Sequence, residues 1–172
     1  DGLAAVVKAL AVLREVSPRT LDVIAAMGEL LSSRVIASAL NAAGIPTTWV
    51  DARKAIVTDG EHTKAAPLTA ETNAALATHV RSVIDAGRVP ILGGFVAATR
   101  EGHTTTLGRG GSDYSGAIVG AGIGASEIQI WTDVDGMLTA DPRVITDARL
   151  VPQLSFDEAA ELAYFGAKVL HP

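Results

Sequence analysis

With 172 residues the chain is long enough for one domain with its own core, and with 48% hydrophobic but only 4% aromatic residues that core must be aliphatic. A net charge of −5 argues against a nucleic-acid partner, whose phosphates call for a basic face. The absence of cysteine removes disulfide scaffolds, thiol nucleophiles and thiolate metal sites together and accords with a cytoplasmic location. No uninterrupted apolar run approaches the roughly 18 residues of a membrane span, so no membrane partner is expected.

Leu3, Val6, Val7, Leu10 and Leu13 recur at helical spacing and predict a first helix that Ser17-Pro18 stops. A second, alanine-rich helix is predicted over 22–43, ended by Gly44-Ile45-Pro46. Thr47-Thr48-Trp49-Val50 reads as a short strand, and 55–58 as another within a polar stretch. Residues 69–86 return to helix, with Gly87 just past the end. Val89-Pro90-Ile91-Leu92 reads as a buried strand running into the glycine loop Gly93-Gly94-Phe95-Val96. A hairpin or flexible loop follows over 99–107, and then a small-residue helix over 112–124 with Ser112 or Asp113 as its cap. A strand is predicted over 127–132 and turns over 133–142. A last helix begins at Ser155, with Asp157 and Glu158 where the macrodipole favours them, and Gly166 breaks it. Strands alternating with helices predict an α/β fold with a largely parallel sheet, helices on both faces and a single domain over 1–172. Ligands of such sheets gather at the carboxyl ends of the strands.

Four stretches there can carry chemistry. In Thr106-Leu107-Gly108-Arg109-Gly110-Gly111-Ser112-Asp113, three glycines let backbone amides approach a ligand, and a helix N-terminus follows at once. Arg109 can grip an anion with two bonds, and Asp113 places a carboxylate beside it. That combination suits phosphoryl transfer; the plainer alternative is a glycine turn capped by Ser112. Trp131-Thr132-Asp133-Val134-Asp135-Gly136, with Asp141-Pro142-Arg143, could hold a ribose or a hydrated magnesium ion, or be a solvated turn. Lys168, in Phe165-Gly166-Ala167-Lys168, is a phosphate ligand or a snorkelling lysine. Glu29 interrupts an apolar run and either binds an ammonium group or faces solvent. No Walker-type loop occurs. Gly120-Ala121-Gly122-Ile123-Gly124 matches the dinucleotide pattern only superficially and reads as a helix stop or packing contact. His62, His79 and His103 lack metal-ligand spacing and read as surface or loop residues. Ser112 lacks the hydrolase elbow.

Taken together and in order, Gly28-Glu29, Thr106 to Ser115, Trp131 to Gly136 with Asp141-Pro142-Arg143, and Tyr164 to Pro172 resemble the aspartate kinases of the amino-acid kinase superfamily. The resemblance implies an αβα sandwich of three layers. It implies phosphorylation of the β-carboxylate of L-aspartate by ATP with Mg²⁺, giving 4-phospho-L-aspartate for lysine, threonine and methionine biosynthesis. By matching positions, Glu29 would bind the substrate's amino group and Arg109 a carboxylate, while Ser112 and Asp113 would sit at the reacting end. Thr132, Asp133 and Gly136 would line the nucleotide pocket, and Arg143 and Lys168 would neutralise ATP phosphates. The family's Lys-Phe-Gly-Gly opening and its regulatory domains have no counterpart here, and Leu138 stands where many relatives have tyrosine. The expectation is therefore a fragment that is inactive alone, from a parent that forms homo-oligomers. The alternatives are another amino-acid kinase and a non-catalytic nucleotide-binding module.

Overall fold

The computed structural model describes residues 2–131, 136–141 and 143–164, which form two compact units divided after Ile128. In the first unit, helix α1 (Gly2–Leu13) is followed by α2 (Pro18–Ala42). Ser17-Pro18 does not merely stop α1. Ser17 caps α2, its hydroxyl accepting the Thr20 N–H at 3.2 Å, and Pro18 occupies the first turn, where its missing N–H costs nothing. α2 buries one stripe, Asp22, Ala26, Leu30, Ser33 and Ala37, at three- and four-residue spacing. At 25 residues it is also long and apolar enough, by length and composition, to cross a membrane. Scanning for an uninterrupted apolar run overlooks this because Glu29 and Arg34 break the run. At its end, Asn41 bonds the Ala37 carbonyl (2.8 Å) and accepts the Thr47 N–H (3.0 Å), which turns the chain into β1 (Thr47–Trp49).

A one-turn 3₁₀ helix (Ala52–Lys54) leads to β2 (Val57–Thr58). The helical run predicted over 69–86 is present as α3 (Thr69–Leu76), a π-helical segment (Ala77–Arg81) and α4 (Ser82–Asp85). Then come β3 (Val89–Ile91), β4 (Val96–Thr99), β5 (Thr104–Thr106) and α5 (Gly111–Ile123). β1 pairs with β3 in parallel, Thr47 opposite Val89. β2 pairs with β4 in parallel, Val57 opposite Ala98, and β4 pairs with β5 as an antiparallel hairpin. Pro90 is tolerated in β3 because β1 is that strand's one partner among the described strands.

The strands lie between helices on both sides. Ala26 and Leu30 of α2 pack on Ala52 and Val96. Leu76 and Val80 pack on Val50 and Ala55, and Ile56, Ala97 and Leu107 pack against Tyr114, Ile118 and Val119 of α5. Consecutive β4 residues Val96 and Ala97 thus serve opposite faces, as strand pleating requires. Gly120 and Gly122 prove to be packing contacts: a Cβ would come within 2.5 Å of Ile128 and 2.3 Å of Leu76, and Gly124 ends the helix at φ 65°.

Residues 127–131 do not form the predicted strand. Alternation alone does not make one: no ladder partner lies beside them among the described residues, and Ile128, Ile130 and Trp131 remain exposed. In the second unit, Leu138 bridges Leu150 in antiparallel fashion and Val151 N–H donates to the Met137 carbonyl at 2.8 Å. α6 (Phe156–Tyr164) begins with a capping box. The Ser155 hydroxyl accepts the Glu158 N–H (3.2 Å), and the Glu158 carboxylate accepts the Ser155 N–H (2.8 Å). The Ser155 N–H, and the Ser155 hydroxyl donating to the same carboxylate at 2.8 Å, hold the Glu158 carboxyl below its ordinary range.

Candidate functional site

The site grows from the turn between β5 and α5. Four residues, Leu107 to Gly110, connect them. Gly108 (φ 81°) and Gly110 (φ 70°) take left-handed conformations that other residues adopt only at a cost. α5 starts at Gly111, before both of its predicted caps, Ser112 and Asp113. Gly110 occupies the cap position and makes no side-chain cap bond. The reason is steric: a Cβ on Gly111 would lie 2.7 Å from Phe95 Cβ and 3.0 Å from Leu107 Cβ, so the helix must open on glycines. Ser112 and Asp113 therefore sit inside the first turn. Their amides belong to the uncapped positive end of the helix, where an anion is favoured.

The second wall is Gly93-Gly94, between β3 and β4. A Cβ on Gly93 would lie 3.1 Å from both Glu29 Cβ and the Glu29 carbonyl oxygen. One on Gly94 would lie 2.8 Å from Ser112 Oγ and 3.1 Å from Ser112 Cα. Glu29 and Ser112, far apart in sequence, are thus gathered on one bare dipeptide. Glu29 is half-buried on α2, not a plain solvent residue, and Arg109 is exposed on the connecting loop beside Ser112 and Asp113.

Phe95 closes this wall and was not singled out by its sequence. Its φ of 45° is strained for a bulky residue, at a cost of about 1–3 kcal/mol. Surrounding bonds hold it there: its N–H donates to Ser115 Oγ (2.8 Å), its carbonyl accepts from Leu107 N–H (2.9 Å), and Ser115 Oγ donates to the Gly111 carbonyl (2.7 Å). The only sequence signal was the glycine pair after a strand.

The remaining predicted site residues lie in the second unit. Gly136 has φ 138°. Arg143 is bonded to its neighbour Asp141 through Nε (3.0 Å) and NH2 (2.7 Å), and those bonds push its guanidinium pKa up further. Thr132, Asp133 and Lys168 lie outside the described residues. Among the described residues no group of three metal-ligating side chains occurs.

A helix start with uncapped amides, faced by a glycine pair and flanked by an arginine and two carboxylates, is the kind of site a small-molecule phosphotransferase needs. The family model described as "Amino acid kinase family" matches residues 2–172, and the chain belongs to that family. Within it, the chain is 42% identical to aspartokinase 1, chloroplastic, of Arabidopsis thaliana over its whole length, covering 31% of that relative. It is 40% identical to lysine-sensitive aspartokinase 3 of Escherichia coli, covering 91% of this chain and 34% of the relative. The crystal structure of E. coli aspartokinase III in complex with aspartate and ADP superposes with a TM-score of 0.90 at 36% identity, over 99% of this chain and 39% of that one. The chain spans about a third of the length of the curated relatives it matches.

Proposed function

We propose that residues 1–172 are a single catalytic region of an aspartate kinase, which transfers the γ-phosphoryl group of ATP to the β-carboxylate of L-aspartate. The observation that carries this reading is the convergence of Glu29 and Ser112 on Gly93-Gly94 beside the uncapped start of α5. The names of the relatives, and the aspartate and ADP bound in the E. coli structure, support the same reading.

In this proposal Arg109 grips a substrate carboxylate with two parallel bonds, and Glu29 accepts bonds from the substrate ammonium. A β-carboxylate oxygen forms its bond to the γ-phosphorus while the bond to the β–γ bridging oxygen breaks, and ADP leaves. The repulsion between two anions is what the site must offset. The amides at the start of α5 supply fixed positive ends without reorganisation. Asp113 orients the acceptor at that helix start. On the nucleotide side, the resemblance assigns Thr132, Asp133 and Gly136 to nucleotide binding and Arg143 and Lys168 to the ATP phosphates. Arg143 must exchange its Asp141 partner for phosphate when ATP binds. Magnesium takes few protein ligands and arrives with the nucleotide, so a helix start with one carboxylate, Asp113, in its first turn fits that ion. When bound it would neutralise phosphate charge. The product feeds lysine, threonine and methionine synthesis, and the full-length protein is a homo-oligomer working in the cytoplasm. Cell fractionation tests the location, since the plant relatives are named chloroplastic.

The test is aspartate-dependent ADP release with ATP and Mg²⁺ by the full-length protein, its Asp113→Ala variant and residues 1–172 alone. Activity in the first, lost in the other two, is expected. A full-length protein that instead phosphorylates glutamate, acetylglutamate or carbamate sinks the aspartate assignment and leaves only the family.

A further inference from the structure

Away from the proposed substrate contacts, the described residues hold one buried carboxylate that is not explained by packing. Asp22, 1% exposed, lies on α2 seven residues before Glu29. Three donors surround it. Thr106 Oγ1 donates to Oδ1 at 2.6 Å, the Thr63 N–H lies 3.0 Å from both oxygens, and His62 Nδ1 lies 2.7 Å from Oδ2. His62 is thus a loop residue, as its sequence suggested, but tied to the interior. Thr63 takes a left-handed φ of 70° to present its N–H, an uncommon conformation for a β-branched residue.

All three donors sit on the two segments that border the Arg109 loop. Thr106 is the last residue of β5, directly before Leu107. The Ala65 N–H donates to the Thr106 carbonyl at 2.9 Å, and a Cβ on Gly108 would lie 3.1 Å from the Thr63 carbonyl oxygen. The segment over 59–67 is therefore strapped to the start of the glycine loop, with Asp22 as the knot. At the other end of that loop, the Gly111 N–H donates to the Gly108 carbonyl at 3.1 Å. A buried charge is costly to keep and is retained only where its partners satisfy it fully. An aliphatic side chain on α2 would pack there without that cost, but it would leave the Thr63 N–H and Thr106 hydroxyl unpaired and the loop untied.

We infer that Asp22 is a positioning residue for the substrate-gripping loop, acting through Thr106, Thr63 and His62 to fix where Arg109 leaves the sheet. The inference rests on the aspartate kinase reading for what Arg109 grips, but the strapping itself does not. Asp22→Asn keeps the size and loses the charge. In the full-length protein it should raise the KM for aspartate about tenfold, by misplacing a substrate-orienting group, with the KM for ATP little changed. His62→Leu, which leaves two of the three donors, should raise the aspartate KM by roughly a third as much on the same grounds, and His62→Asn, which keeps a donor, should restore it. Hydrogen exchange should quicken at the Leu107 and Gly111 amides in Asp22→Asn and stay unchanged in β3.

A folded Asp22→Asn variant with the wild-type aspartate KM overturns the inference. So does one whose two KM values rise together, the mark of a general loss of structure. If Asp22→Asn does not fold, His62→Leu carries the same criteria. If the wild-type protein shows no aspartate kinase activity, the proposed function fails on its own, and unchanged exchange at Leu107 and Gly111 then overturns the positioning role.

Discussion

Asp51-Ala52-Arg53 in the first unit and Asp141-Pro142-Arg143 in the second are the same device in two settings. In each, the arginine returns to the aspartate two residues before it. Arg53 Nε lies 2.9 Å and NH2 2.6 Å from the Asp51 carboxylate; the Arg143 distances are 3.0 and 2.7 Å. The backbone N–H of each arginine bonds the same carboxylate. Their surroundings differ. Asp51 and Arg53 side chains are 12% and 35% exposed, while Asp141 and Arg143 are 42% and 80% exposed. Around Asp51, burial pushes the carboxyl up, but the Arg53 hydrogen bonds and the charges of Arg53 and Arg34 outweigh it and hold the group below its ordinary range. Arg34 itself lies over the Trp49 ring at 4.1 Å. Local sequence makes the pair; tertiary placement decides whether it braces a fold or stays available to a ligand.

If long-range placement is what turns local motifs into a site, the largest effect belongs to the contact that has no local component. Gly94→Ala sets a methyl group against Ser112 Oγ and Cα, and full-length activity should fall about a hundredfold, since small misplacements are that costly. Steady-state kinetics check it, and wild-type activity would break the comparison. Next, the two arginines should separate by function. Arg143→Ala should raise the ATP KM about tenfold through loss of a phosphate contact, while Arg53→Ala should leave it unchanged and lower the melting temperature instead. Equal kinetic effects from both would show that setting does not matter.

The third test is pH. Because folding depresses the Asp51 carboxyl, its contribution is present above the unfolded-state value and is lost as pH falls through the folded-state one. Asp51→Asn should therefore melt below wild type at neutral pH and converge with it in acid. Asp141→Asn should show a smaller gap at neutral pH, because its pair is exposed to solvent. The smallest effect is expected from Ser155→Ala. It removes a surface helix cap and should lower the melting temperature by about 2 °C or less.

The helices of the first unit, strands β1, β2 and β3, the α/β class and the glycine turn before α5 were legible because each rests on neighbours in sequence; β4 was not, because Val96 read as the end of a glycine loop. Apolar spacing sets a helix, β-branched runs set a strand, and three glycines before a small-residue helix expose amides wherever they occur. The strand expected over 127–132 does not form over its described residues 127–131, because a strand is defined by its partner and alternation supplies only half of that. The cap of α5 falls at Gly110, two residues before Ser112 and three before Asp113, for a related reason: Gly111 must be glycine because Phe95 and Leu107 approach it from elsewhere in the chain. His62 carried no signal at all, since its partner lies 40 residues away. By itself the sequence determined which chemical groups are available: Arg109, Glu29, Ser112, Asp113 and the glycines among them. Only the tertiary structure decided that Glu29 and Ser112 share one glycine dipeptide and that Asp22 ties down the loop between β5 and α5. Such contacts exist only once segments far apart in the chain have been packed together, and burial then makes each unmade bond too costly to leave.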